Sequence, residues 1–425
     1  MNRRIKKINY NYRHDFNLVF SAFRGRFLDK YYHESEKAEW LFKRDLRRLS
    51  ANFSILFFFQ YSLFSKYWFH KKIYQSIILS GEDDNFEKLV QKASLDGALL
   101  YLPNHQAHID SLIISWIANF LRVPQPLFYA WNTLARRRSA YLMPLVNACL
   151  LDRQVMDERF KCADPFRNTR QYRYGYTILI EEYLRHMLTR GVDTLIYPEG
   201  GRSYNGIIGE ARIRRIFKDT LKVQEGLGNQ KIISIIPISI TYTLVPEADK
   251  LIASFHSGQV IPPSSLFHDL TDADNLYRSF RPTYQTRTNY SLVKDFVQKR
   301  IPIYCVLGNP ISLLNKEVTL DNSFNIVKRN LKILPHHFFA RLLLNDPSGM
   351  VKKVRTGGIN ALLEPAKIFR NSLQKFNLDE AYYDDGGLVD ILSIGLEFFR
   401  YGGHITGEAV IRDGGVLEYY ANKIN

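Results

Sequence analysis

Cysteine is scarce in this chain: the 425 residues include three, Cys149, Cys162 and Cys305. None stands in a C-x-x-C pair, so the sequence offers neither a thiolate zinc site nor a disulfide framework, and a reducing compartment fits. Long apolar runs are missing too. A helix needs roughly 18–20 consecutive apolar residues to span a bilayer. The nearest candidates, "ILFFFQYSLF" (55–64) and "SLIISWIANFL" (111–121), fall short of that and read as buried core. The basic start "MNRRIKKINYNYRHDF" is followed by no apolar h-region, which argues against a signal peptide. There is no internal repeat and no low-complexity tract. A nucleophile elbow, G-x-S-x-G, is also absent: around Ser203 the pattern fails because Asn205 stands where glycine is required, so a serine acyl-enzyme lacks support. Acidic residues are outnumbered, 42 against 58 Lys and Arg, leaving a formal net charge of +16. That balance implies an anionic partner: nucleic acid, anionic lipid or a phosphorylated substrate. Helix-turn-helix, RNA-recognition and zinc signatures are all missing, so a basic nucleic-acid-binding protein is a reading carried by charge alone.

What is present is ample core material. The chain is 46% hydrophobic and 14% aromatic, enough for one large unit or two or three smaller ones. Residues 1–95 read as a helical N-terminal region, closing with a turn and short helix over "SGEDDNFEKLVQKA" (80–93). Within it, "ILFFFQYSLFSKYWFHKK" (55–72) joins aromatics to a basic end, a mixture suited to a membrane–water interface. Residues 96–315 alternate strand and helix patterns. "GALLYLP" (97–103), the start of "DTLIYPEGG" (193–201), "KIISIIPISITY" (231–242) and "IPIYCVLGNPISL" (301–313) are strand candidates. "HIDSLIISWIANFL" (108–121) is helical, and Tyr176, Leu179, Ile180, Tyr183, Leu184, Met187 and Leu188 form one helical stripe stopped by Gly191. The alternation predicts an α/β fold: a mixed, mostly parallel sheet flanked by helices, with polar residues at strand carboxyl ends as the expected functional positions. Residues 251–290 read as an irregular insertion, and 316–425 as a helical C-terminal region.

Three stretches carry chemistry. In "LPNHQAHIDSLI" (102–113), a strand ending at Pro103 and a helix starting near Ala107 put Asp110 in the first helical turn and His105 just before it. Asp110 then reaches one imidazole nitrogen, fixing the tautomer and leaving the other nitrogen to take a proton. Two other readings stay open: Asn104 as a helix cap with incidental histidines, and a metal site from His105, His108 and Asp110, whose spacing matches no established zinc pattern. In "YPEGGRSYNG" (197–206), Gly200 and Gly201 admit a ligand to the backbone, Arg202 suits a phosphate, and Glu199 suits a substrate hydroxyl or Arg202 itself. An internally paired polar turn is the alternative. In "NACLLDRQ" (147–154), an apolar run delivers Asp152 and Arg153 to a loop. Arg136, Arg137 and Arg138 nearby make either an anion site or a solvated face.

The order of these blocks resembles the glycerolipid acyltransferase superfamily, nearest its bacterial glycerol-3-phosphate acyltransferase branch, with the dihydroxyacetone-phosphate and lysophosphatidate enzymes as neighbours. "HQAHIDSLIISW" is similar to the histidine block, "TRGVDTLIYPEGGRSYNGII" to the glutamate block, "VLGNPISLL" to a later block and "VLEYYANKI" to the C-terminal ending; "YAWNTLA" matches weakly. The resemblance covers residues 95–315 well and the remainder thinly. It implies that His105 is the general base and Asp110 its orienter. It further implies that Arg153, Glu199, Gly200, Gly201 and Arg202 bind the acceptor's glycerol and phosphate, and that Pro237 lies on the acyl-donor side. No cofactor or metal is implied; acyl-CoA or an acyl-acyl-carrier protein is the co-substrate. The expected partners are a phosphate acceptor, the thioester donor and an anionic membrane surface, with no nucleic acid. The expected place is the cytoplasm, peripheral on the inner face of the membrane. Three positions depart from the pattern: Asn147 stands where the block usually has glycine, the Asp152–Arg153–Gln154 run carries one arginine where the branch usually has two, and Tyr204 replaces a further arginine. Arg136–Arg138, or Arg212, Arg214 and Arg215, are the candidates to make up the missing charge.

Overall fold

The computed structural model describes residues 12–54, 56, 60, 77–132, 139–245, 247–258, 303–373, 378, 383–406 and 410–424. Most of the aromatic stretch 55–72, the arginines Arg136–Arg138 and most of the segment 251–290 lie outside the described residues.

The strands in chain order are β1 (Ile77–Gly81), β2 (Leu99–Pro103), β3 (Leu127–Trp131), β4 (Ala148–Leu151), β5 (Thr194–Leu195), β6 (Ser234–Tyr242), β7 (Ile303–Leu307) and β8 (Ile311–Ser312). They form one sheet in the order β1-β7-β6-β2-β5-β3-β4, with β8 on the start of β6. Neighbours run parallel except β7 and β8, which meet β6 antiparallel. This is the mixed, mostly parallel sheet that the alternation of runs and stripes predicts.

The apolar run of β2 is central because it is buried throughout, and a strand covered on both faces needs neighbours on both sides. Its residues divide by parity. Leu99 and Tyr101 join the hydrophobic cluster of one face, with Ile236, Ile238 and Ile240 of β6. Leu100 and Leu102 join that of the other, with Ile235. Against the first face lie α1 (Phe86–Asp96), α2 (Asp110–Phe120) and the C-terminal helices. Against the second lie α3 (Arg170–Thr189), α4 (Arg214–Leu227) and, after β8, the helix Leu320–Arg329. The stripe on α3 is buried as its spacing demands, and the helix is capped at its C-terminus by Arg190, with Gly191 at φ 79, a left-handed turn that favours glycine.

The N-terminal helices Tyr12–Phe23 and Glu36–Leu49 dock on α3 through aromatic stacking, with Phe42 and Tyr172 ring centroids 4.4 Å apart. A buried ion network fastens the same junction. Arg167 donates to Asp45 at 2.7 Å and to Asp152 at 2.9 Å, and the Tyr172 hydroxyl donates to Asp45 at 2.9 Å. The sheet therefore takes β1 from before residue 96, and helices from beyond residue 315 complete its cover.

Gly97, at the entrance to β2, lies so close to β6 that an added Cβ would stand 2.0 Å from the Ile232 carbonyl oxygen. Backbone atoms there cannot turn aside as a flexible side chain does. Gly97→Ala is expected to destabilise the fold by about 1–3 kcal/mol through overpacking, read as a lowered urea midpoint with unchanged slope.

Candidate active site

The carboxyl ends of β2, β4, β5 and β6 share one edge of the sheet, the usual place for a site in a parallel α/β fold. Here β2 leads into the loop that carries His105. The Asn104 side chain takes over where the strand stops: its amide donates to the Ile240 carbonyl at 2.9 Å and its oxygen accepts the Ile240 N–H at 2.7 Å. Asn104 thus braces the loop against β6 rather than capping α2.

Asp110 opens α2 and is completely buried. One oxygen accepts His105 Nδ1–H at 2.8 Å, the Gln106 N–H at 2.7 Å and the Ala107 N–H at 3.0 Å; the other accepts the Tyr242 hydroxyl. A carboxylate only accepts, so the proton of a neutral imidazole sits on Nδ1 and Nε2 presents its lone pair. The His105 side chain keeps 16% exposure, enough to be reached. Its ring stacks on Tyr197, with centroids 3.9 Å apart and planes 18° from parallel. The Tyr197 hydroxyl is bonded to Ser111 Oγ at 2.9 Å, and burial pushes the phenol well up, so it stays neutral. The imidazole is therefore held along one edge and across one face.

The loop after β5 brings the second group alongside. Glu199 accepts the His105 N–H at 2.8 Å and the Gly209 N–H at 3.0 Å, joining the two loops through one carboxylate. Burial raises its pKa, opposed by those two bonds. Gly200 adopts φ 70, and both it and Gly201 are exposed with open space where a Cβ would stand, so a ligand has access to the backbone. Arg202 forms an ion pair with Glu247, which also accepts the His108 N–H at 2.9 Å and lies 3.4 Å from His108 Nδ1. His105 and His108 thus turn to different carboxylates. Among the described residues no group of three His, Cys, Asp or Glu side chains is arranged to hold a metal ion.

Other candidate positions are placed differently. Asn147 adopts φ 70, the left-handed conformation that favours glycine and that asparagine tolerates best among the rest; this is why asparagine serves at that position. Asp152 caps the short helix Arg153–Met156 and belongs to the Arg167 network. The Arg153 guanidinium lies over the Phe160 ring, 4.6 Å from its centroid. Arg214 pairs with Asp321 and Arg215 with Glu181, so both are committed to the fold, while Arg212 is exposed. Pro237 is not gathered with His105. It is paired with Leu102 and flanked by Ile235 and Ser239, which face the opposite layer, and it packs near Gly308.

Backbone N–H groups ahead of a helix are natural oxyanion ligands, but those before α2 are engaged. Those of His105, Gln106, Ala107 and His108 already donate to Glu199, Asp110 and Glu247. The residues that organise the site without being evident in sequence are Tyr242, Glu247, Gln106 and Lys423. Tyr242 left a trace as the polar end of an apolar strand, and Gln106 and Lys423 lie within "HQAHIDSLIISW" and "VLEYYANKI" with nothing there to mark their partners.

Residues 81–241 match the family model described as Acyltransferase. Over 183 residues the chain is 27% identical to a glycerol-3-phosphate acyltransferase of Haemophilus ducreyi and 26% identical to one of Glaesserella parasuis. Over 173 residues it is 27% identical to one of Pseudomonas aeruginosa. These matches take in 43%, 43% and 40% of this chain but 20%, 20% and 18% of the relatives, so the chain matches about a fifth of their length. Among solved structures, a 1-acyl-sn-glycerophosphate acyltransferase of Thermotoga maritima aligns over 77% of this chain and 94% of its own, at 13% identity and a TM-score of 0.31.

Tyr242→Phe removes one of the four donors to a buried carboxylate. A hydrogen bond to a charged group contributes about 1.5–3 kcal/mol, and urea unfolding is expected to show a loss in that range.

Proposed function

We propose that this chain, whose residues 81–241 match the acyltransferase family model, moves an acyl chain from an acyl thioester to a hydroxyl of glycerol 3-phosphate. The observation that carries the reading is the His105–Asp110 pair, which engages Nδ1, in a loop joined through Glu199 to the exposed Gly200–Gly201 turn. A thioester is already activated, so a positioned base is enough and no covalent enzyme intermediate is needed. Nε2 of His105 takes the hydroxyl proton as the oxygen bonds to the thioester carbonyl carbon. The tetrahedral oxyanion collapses, the carbon–sulfur bond breaks, and the departing thiolate takes the proton back from the imidazolium. The products are an ester and a free thiol.

In this reading Arg153, Arg202 and the backbone of Gly200 and Gly201 hold the acceptor phosphate, and Glu199 aligns its glycerol. Guanidinium offers five donors, so Arg202 can serve Glu247 and a phosphate together. The donor is acyl-CoA or an acyl-acyl-carrier protein, both anionic, which suits the net charge of +16. Peripheral binding to an anionic membrane fits the same charge. It also fits the exposure of Met156 and Ile207, which follow β4 and β5. Among the described residues no helix is long and apolar enough to cross a membrane.

A lysophosphatidate acceptor is the second reading, favoured by the single arginine of the 152–154 run. A dihydroxyacetone-phosphate acceptor is tested alongside. Purified protein given a labelled acyl thioester with each of the three acceptors separately is expected to acylate glycerol 3-phosphate fastest. Preference for another acceptor would replace the reading with that one. His105→Ala is expected to lower the rate by about 10²–10⁴-fold with an unchanged circular dichroism spectrum. Full turnover by a folded His105→Ala protein would remove the imidazole from the mechanism.

A further inference from the structure

We propose that Lys423 is a positioning residue for the acyl transfer, an inference that rests on the reading above: its buried side chain enters from the C-terminal turn and fixes the His105 loop through Gln106. The residue lies far outside the 81–241 match.

The geometry is a relay through one amide. Lys423 Nζ donates to Gln106 Oε1 at 3.1 Å. Gln106 Nε2 donates to the Ile240 carbonyl at 2.8 Å, and the Gln106 backbone N–H donates to Asp110 at 2.7 Å. Gln106 therefore cannot shift without moving the residue next to His105 or loosening Asp110. The same turn reaches the other loop. Asn422 Nδ2 donates to the Asn205 carbonyl at 2.9 Å, and Gly206, at φ 87, lies so close that a Cβ would stand 2.0 Å from the Tyr419 carbonyl oxygen.

The electrostatics point the same way. The Lys423 ammonium lies over the Tyr419 ring, 4.5 Å from its centroid, and the residue is 7% exposed. The charges it faces are Asp110 at the start of α2 and Glu199 after β5; His336 and His337 lie on the helix Pro335–Asn345 and Tyr419 on its own helix, Gly414–Ala421. Burial brings Lys423 down to about 7, while Glu199 and Asp110 pull it upward. Its unfolded value is the ordinary 10.5, so protonation favours the unfolded chain. The burden is full below about 7 and fades as pH rises toward 10.5. An amine whose burial works against folding, yet whose Nζ is held on Gln106 in the loop of His105, fits a role in the reaction better than one in stability.

The test compares the full chain with Lys423→Met, Gln106→Met and the double variant. The readouts are melting at a pH below 7, kcat and KM, and the downfield NMR signal of the His105 Nδ1 proton. Lys423→Met is expected to melt no lower than the parent, to lose about 10²-fold in kcat, as a misplaced reacting group does, with KM nearly unchanged, and to shift or broaden the proton signal. Gln106→Met is expected to give the same loss and the double variant no further loss, since the two act in series. Lys423→Arg is expected to recover part of it. Parental kcat with an unaltered proton signal would overturn the proposal, as would a loss of rate that only tracks a lowered melting point. If the parent acylates no acceptor, the functional reading falls, and the proton signal alone still decides whether Lys423 holds the His105 loop.

Discussion

Everything at the sheet's carboxyl edge depends on satisfying one fully buried carboxylate. Asp110 has no contact with water, and a buried charge is tolerable only when its hydrogen-bonding capacity is met from within the protein. Meeting that demand dictates the surroundings. The loop between β2 and α2 must curl until two successive N–H groups converge on one oxygen. The imidazole must approach from the side with its Nδ1 proton, and β6 must be long enough to bring the Tyr242 hydroxyl to the remaining oxygen. The orientation of His105 is the by-product of that satisfaction. The same logic recurs one step out, where Glu199 takes the His105 N–H and Glu247 that of His108, so three carboxylates divide the amides of one short loop.

How much of this was legible in the sequence follows from the range of each interaction. The sheet was legible because a strand buried on both faces must be a continuous apolar run, as in β2 and β6. The approach of Asp110 to His105 was legible because five positions across a strand-to-helix turn leave little choice of geometry. Glu247 was not legible: its partners Arg202 and His108 lie far away in sequence, and nothing local marks it. Arg202, read as a phosphate ligand, also turns out to carry that carboxylate. Arg214 and Arg215, considered as extra phosphate ligands, are held by Asp321 and Glu181 for the same reason, since charge in a sequence does not announce its partner. Asn147 is the converse case. Its departure from glycine looked like a lost feature, whereas its backbone adopts the left-handed turn that the position requires.

The distribution of labour between rigid and open parts is equally plain. His105 is clamped by a hydrogen bond at its edge and an aromatic ring at its face, whereas the facing turn of Gly200 and Gly201 carries no side chain and stays exposed. Reacting groups gain from fixed geometry, and a surface that receives a bulky anion gains from bare backbone. The site therefore combines one preorganised wall with one adaptable wall, while the Asp45–Arg167–Asp152 network anchors the N-terminal helices to the end of β4.

The contact between Lys423 and Gln106 joins residues 317 positions apart. Chains are made from the N-terminus forward and ordered as they emerge. The strands that frame the His105 loop can pair once β6 has been synthesised, but the loop's last support arrives some 180 residues later, as the difference between Tyr242 and Lys423 shows. In chain order the last strand, β8, is therefore made before the helix and turn that steady the His105 loop, so local order at that loop waits on the far end of the fold.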